Sequence, residues 1–128
     1  MTYDELLVKY PKLYSDLPYF ECDNGWLPLI EDLSRKLEAI NNKYEDPEDK
    51  IYAVQVKQKF GGLRFYVYRS ENISEKDKDI SSKLIDEAEK TSYTVCETCS
   101  NPAFSRTERG WITTLCDKCL EASKSVKS

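Results

Sequence analysis

The amino-acid sequence predicts an α+β fold: an antiparallel β-hairpin or small sheet packed by two amphipathic helices, with a four-cysteine ribbon at the C-terminal end. Three observations carry this. Trp26, Ile30, Leu33, Leu37, Ile40 and Tyr44 recur at alternating steps of four and three, one apolar stripe on a helix. From Ile51 the period changes to two, on both sides of Gly61-Gly62. Finally, Cys96-Glu-Thr-Cys99 and Cys116-Asp-Lys-Cys119 form two Cys-x-x-Cys pairs separated by sixteen residues.

The elements follow in order. Thr2 and Glu5 have capping-box spacing ahead of Tyr3, Leu6, Leu7 and Tyr10, a short packing helix that Pro11 stops. A loop runs through Pro18, Cys22, Asp23 and Gly25. The Trp26–Tyr44 helix tolerates Pro28 in its first turn, and Glu31, Asp32, Arg35, Lys36 and Glu38 form its wet face. Glu45-Asp46-Pro47-Glu48-Asp49 ends it as an acidic loop. Gly61-Gly62 reads as a hairpin turn with Phe60 facing Leu63. That pairing puts Val54, Val56, Phe60, Leu63, Phe65 and Val67 on the core face, with Gln58 the polar intruder. Gln55, Lys57, Lys59, Arg64, Tyr66 and Tyr68 fall on the other.

Asn72 or Ser74 caps a second helix over Glu75–Lys90. Ile80, Leu84, Ile85 and Ala88 are its apolar face; Lys76, Asp77, Lys78, Asp79, Lys83, Asp86, Glu87 and Glu89 are its polar one. The ribbon turns at Asn101-Pro102 and Gly110, and Trp111–Leu115 supplies a β-branched run into the second cysteine pair. The chain therefore divides into a core over residues 1–92, a ribbon over 93–120 and a flexible tail over 121–128, frayed from Ala122.

At 128 residues and 40 % apolar content the chain can bury a core. No apolar run approaches membrane-spanning length, and no secretory signal is expected. The formal charge of −4 is unevenly spread. Residues 1–50 carry −6 and residues 70–92 carry −3, while residues 51–69 hold four bases and no acid.

The cysteine spacing points to one structural Zn²⁺ held by Cys96, Cys99, Cys116 and Cys119. Two redox disulfides or unligated thiols are the alternatives. The chain has no histidine, so all four ligands are thiolates, and a closed four-thiolate site leaves no position for substrate. Bound zinc also adds −2 to the formal charge, because four thiol protons leave for one divalent ion. With four of five cysteines in metal spacing, a reducing cytosol is expected. The lone Cys22 reads as a structural thiol.

No Ser-His-Asp or Cys-His arrangement is possible, and no phosphate-binding loop or dinucleotide fingerprint occurs. No enzyme activity and no small-molecule substrate are expected. The face with Lys57, Lys59 and Arg64 beside tyrosines can hold phosphates and stack on planar groups, or be a plain solvated face.

Three blocks carry a family resemblance: Cys22-Asp-Asn-Gly-Trp26, Gln55-Val-Lys-Gln-Lys-Phe-Gly-Gly-Leu-Arg-Phe-Tyr66 and Gly110-Trp-Ile-Thr-Thr-Leu-Cys-Asp-Lys-Cys119. Through them most of the chain beyond the first helix resembles a family of small phage and prophage proteins, most without known activity. In that family the Cys-x-x-Cys pairs imply zinc, carried here onto the same four cysteines. By size and metal site the chain is also similar to zinc-containing anti-CRISPR proteins of streptococcal prophages.

That resemblance implies a phage-encoded inhibitor in the bacterial cytoplasm, binding the host type II RNA-guided DNA endonuclease and blocking target DNA. The acidic candidates for contact are Glu45, Asp46, Glu48 and Asp49 on the loop, with Asp86, Glu87 and Glu89 on the later helix. Lys57, Lys59 and Arg64 form the competing surface. The alternative is a nucleic-acid-binding accessory protein that uses this basic hairpin face.

Overall fold

The computed structural model describes residues 1–16, 19–108 and 110–125. Pro18 and residues 126–128, expected in a loop and in the tail, lie outside the described residues. The architecture is α+β, with a mixed three-stranded sheet, a separate two-stranded ribbon and four helices among the described residues.

Helix α1 (Tyr3–Lys9) starts where the capping box places it, with the Thr2 side chain accepting from the Glu5 amide. The chain then turns through Pro11–Tyr14, and Leu13 and Tyr14 enter the core beside Leu6 and Tyr10. Strand β1 (Phe20–Glu21) pairs parallel to β2 (Ile51–Lys59), and β3 (Gly62–Arg69) pairs antiparallel to β2 on its other side. The two-residue β1 carries no period of its own, which is why alternation could not reveal it.

The hairpin turn sits one residue earlier than Gly61-Gly62, so Leu63 pairs two residues away from Phe60 and the strand faces are kept. Phe60 and Gly61 form the turn, with φ of 54° and 80°, and Gln58 faces Leu63. Two positive φ angles make this a primed turn, whose twist matches the strands it joins. Phe60 is consequently 61 % exposed and outside the core. A left-handed Phe costs roughly 1–2 kcal/mol. Two bonds hold the turn in place: the Gly61 amide donates to Gln58 Oε1 at 2.8 Å, and Thr114 Oγ1 donates to the Gly61 carbonyl at 2.6 Å.

A register shift between Ala53 and Gln55 makes Val54 the extra residue of a bulge. Because strand faces alternate with period two, one inserted residue reverses everything before it. Ile51 and Ala53 therefore point inward and are fully buried, while Val54 is exposed. Val56, Leu63, Phe65 and Val67 keep their expected core side.

Helix α2 is shorter than the apolar stripe. A 3₁₀ turn (Asn24–Trp26) leads into α2 (Leu27–Asn41), and Tyr44 lies beyond its end. Trp26, Ile30, Leu33, Leu37 and Ile40 are all buried. Glu38, expected on the wet face, is buried and accepts from the amides of Lys12 and Leu13, both at 3.0 Å, and from Asn41 Nδ2. Asn41 in turn bonds both the amide and the carbonyl of Ile51. One carboxylate and one amide thus fasten the Pro11–Tyr14 turn, the end of α2 and the start of β2. Helix periodicity cannot see such a role, because it sorts residues by polarity alone.

Helix α3 (Glu75–Ser92) begins at the Ser74 cap and runs along β3. Leu84, Ile85 and Ala88 pack against the core, but Ile80 is exposed. Ser92 Oγ accepts the Leu63 amide at 2.9 Å, and Arg69 Nε donates to Ser81 Oγ at 2.7 Å. The helix thereby covers a strand edge that would otherwise offer bare backbone groups. Asp77, expected on the polar face, is instead buried, accepting from Lys43 Nζ and from the Tyr44 hydroxyl, both at 2.7 Å.

Lys43, then Tyr44, holds the Asp77 carboxyl below the ordinary aspartate value of 3.8. A lowered carboxyl stabilises the fold above that ordinary value and loses its contribution as pH falls through the folded one. Asp77→Ala should lower unfolding free energy at neutral pH by about 1–3 kcal/mol. Denaturant titrations should also show a shallower loss of stability for the variant below about pH 4 than for the parent.

Candidate metal centre and its junction with the core

The ribbon is built from β4 (Phe104–Arg106) and β5 (Thr113–Leu115), paired antiparallel. The two cysteine pairs reach its base from different local structures. Cys96 and Cys99 lie on a turn closed by bonds from Ser100 N to the Cys96 carbonyl and from Cys96 N to the Asn101 carbonyl. Ser100, at φ 75°, lets the chain leave that turn. Cys116 and Cys119 sit at the start of helix α4 (Asp117–Ser125). The helix continues through Ser125, past the point at Ala122 where fraying was expected.

The four sulfurs all lie within 4.8 Å of one another, and Cys99 Sγ is 3.6 Å from Cys116 Sγ. A disulfide would require about 2.05 Å. All five cysteines are free thiols. Sulfurs placed at about 2.3 Å around a tetrahedral ion stand about 3.8 Å apart. The cluster fits a metal ion on donor type, number and spacing.

The thiols of the cluster are shifted in opposite directions, Cys116 down and Cys99 and Cys119 up. The Cys119 amide donates to Cys116 Sγ at 3.4 Å, and this bond leads the causes that bring the Cys116 thiol down to about 7. An α-helix N-terminus favours negative charge in the same place. Burial pushes the Cys119 thiol up, and the neighbouring sulfurs of Cys99, Cys116 and Cys96 act in the same direction. Cys22 stands outside the cluster. Burial raises its thiol to about 11, which leaves it protonated and unreactive at neutral pH, 3.5 Å from the Tyr3 hydroxyl.

The cysteine turn is also where the ribbon joins the core. Trp26 Nε1 donates to the Val95 carbonyl at 2.9 Å, Gly25 N to the Glu97 carbonyl at 2.6 Å, and Ser100 Oγ to the Gly25 carbonyl at 2.6 Å. Glu97 N donates to the Thr114 carbonyl at 3.0 Å, and Thr114 holds the hairpin turn through Gly61. A Cβ on Gly25 would collide with the carbonyls of Cys96 and Glu97. At Gly62 it would enter the ring of Tyr93. The segments Cys22–Trp26, Gln55–Tyr66 and Gly110–Cys119 all meet here.

Sequence reasoning singled out those blocks without recognising that they touch. Nothing local in Cys22–Trp26 indicates a partner some seventy residues away. The junction roles of Glu97, Ser100 and Thr114 have no signal in the sequence, these being ordinary polar residues by type.

The partner-contact candidates are distributed unevenly. Glu45, Asp46 and Glu48 are exposed on the loop after α2, whereas Asp49 is engaged by Ser70 and Asn72. Asp86 and Glu87 are exposed on α3. Glu89 and Arg64, placed on rival surfaces by the sequence, pair with each other at 2.7 Å. Lys57 has no ion pair among the described residues, and Lys59 Nζ lies over the Phe60 ring at 5.5 Å.

No family model, no curated protein and no solved structure matches the chain. Fold and site define it as an α+β domain joined to a four-cysteine cluster able to hold a metal ion. No helix is long and apolar enough to cross a membrane.

Replacing Gly25 by Ala should force the cysteine turn away from the 3₁₀ turn. Thermal denaturation should report a loss of about 1–3 kcal/mol. Metal release to a chelator should be faster than from the parent protein.

Proposed function

We propose that this chain is a phage-encoded, non-catalytic protein stapled by one zinc ion, which inhibits a bacterial type II RNA-guided DNA endonuclease in the host cytoplasm. The metal is structural. Four thiolates close its coordination shell, and its binding free energy becomes folding free energy for the ribbon. The observation that carries the binding reading is the way the acidic loop is mounted. Lys43 and Tyr44 bond Asp77, and Asp49 accepts from Ser70 and Asn72, so the loop is tied to the start of α3.

Exposed Glu45, Asp46 and Glu48 therefore project from a braced loop rather than from a loose tail, and Asp86 and Glu87 are exposed further along α3. RNA-guided effectors hold nucleic acid in a strongly positive channel. An ordered acidic surface gains association rate and specificity there from complementary potential. Occupying the channel excludes target DNA without any bond being broken.

Freshly purified protein should contain one zinc per chain by elemental analysis. Cys99→Ser should release it and unfold the ribbon, whereas Cys22→Ser should retain full zinc content. A zinc-free parent, or zinc loss in the Cys22 variant, would show the ligand set to be wrong.

Titrated into the endonuclease, the protein should abolish cleavage near one inhibitor per enzyme, less effectively as salt rises. Reversing Glu45, Asp46 and Glu48 to Lys should slow association at least about tenfold with zinc content unchanged. Failure to form any complex with the endonuclease would overturn the proposal.

A further inference from the structure

The sheet has one face that no other element covers among the described residues. Ile51, Ala53, Val56, Leu63 and Phe65 fill the inner face, and helix α3 lies along β3. The outer face carries Tyr52 opposite Tyr68, Gln55 opposite Tyr66, and Lys57 opposite Arg64. The Val54 bulge fixes this arrangement, because it turns Tyr52 outward. Tyr52 and Tyr68 lie with ring centroids 5.2 Å apart, and Lys50 Nζ sits 5.8 Å from the Tyr52 ring centre. Tyr66 and Tyr68 are 44 % and 51 % exposed, and among the described residues none of the three hydroxyls has a hydrogen-bond partner.

Charge selects the occupant. Lys50, Lys57 and Lys59 flank the tyrosines and form no ion pair among the described residues, in a chain whose formal net charge is −4. The carboxylates at the rim are already engaged, Glu21 by Gln55 at 3.4 Å and Glu89 by Arg64. Exposed rings on a sheet, bordered by lysines, match bases that stack and phosphates that follow the lysines. A duplex hides its bases and cannot use the rings.

We infer that this outer face binds single-stranded nucleic acid, with Tyr52, Tyr66 and Tyr68 as the stacking platform for two or three bases and Lys50, Lys57 and Lys59 as phosphate contacts. The inference does not rest on inhibition of an endonuclease, since it uses a different surface from the acidic frame.

Fluorescence anisotropy of short labelled oligonucleotides tests it, comparing single-stranded RNA, single-stranded DNA and the annealed duplex. At least one single strand should bind more tightly than the duplex. Three phosphate contacts give a slope of about −2 in log K against log salt, or about twentyfold weaker binding from about 50 to about 200 mM. The double variant Tyr66→Ala/Tyr68→Ala should lose at least about tenfold. Tyr66→Phe/Tyr68→Phe, which keeps the rings, should bind like the parent, and Lys57→Glu should weaken binding and flatten the salt slope. Zinc content and melting temperature establish that each variant is folded.

No saturable binding to either strand would overturn the inference. So would binding no tighter than to the duplex, or a folded ring-deleted variant that binds like the parent. The Glu45/Asp46/Glu48 reversal should leave single-strand binding no weaker, so the two proposals can fail separately.

Discussion

The structure depends on the contact between the Cys96–Cys99 turn and the segment Asp23–Trp26. Four hydrogen bonds cross it, from Asp23 N, Gly25 N, Trp26 Nε1 and Ser100 Oγ, and the absence of a Gly25 side chain permits their approach. From there constraint passes both ways. Trp26 is a fully buried side chain at the entry to α2, and Glu97 N reaches Thr114, which holds the hairpin turn. A cysteine cluster of this kind is therefore more than an appendage. Whatever fixes the four sulfurs also fixes where α2 begins and where the β2–β3 hairpin ends.

This coupling gives the small domain its distribution of strain and rigidity. A bulky residue in the left-handed region, such as Phe60, persists when the surroundings over-determine it. Here Gln58 and Thr114 grip the adjacent Gly61 from two sides. The buried polar groups work in the same manner. Glu38, Asn41 and Asp77 each meet two or more hydrogen-bonding partners, so desolvation is offset and the loops they hold are placed uniquely. These groups brace the polypeptide between helices and strands, and apolar packing fills the space between them.

The surface divides accordingly. Acidic groups stand on the loop after α2 and on α3, braced through Asp77 and Asp49, while tyrosines and lysines occupy the uncovered sheet face. The Arg64–Glu89 pair sits where these regions meet and neutralises one charge from each. Two oppositely biased surfaces stand on one scaffold whose four-cysteine cluster is able to hold a metal ion. On the proposed reading, the acidic frame addresses a cationic channel, and the sheet face addresses strands that such a channel exposes.

The sequence by itself determined the elements whose signals are local. The 3.6 period of α2, the period of two in β2 and β3, the Thr2 and Ser74 caps and the cysteine spacing each arise within a few residues, and each appears in the fold. Only the tertiary structure decided the rest. The Val54 bulge moved Ile51 and Ala53 inward because the core accepted those side chains, and a one-residue shift exchanges strand faces without changing composition. Glu38 and Asp77 were buried because distant amides, a lysine and a tyrosine came to meet them. Gly25 met Glu97 across more than seventy residues. Periodicity records which residues avoid water; it holds no information about which polar group will find a partner after the chain has closed.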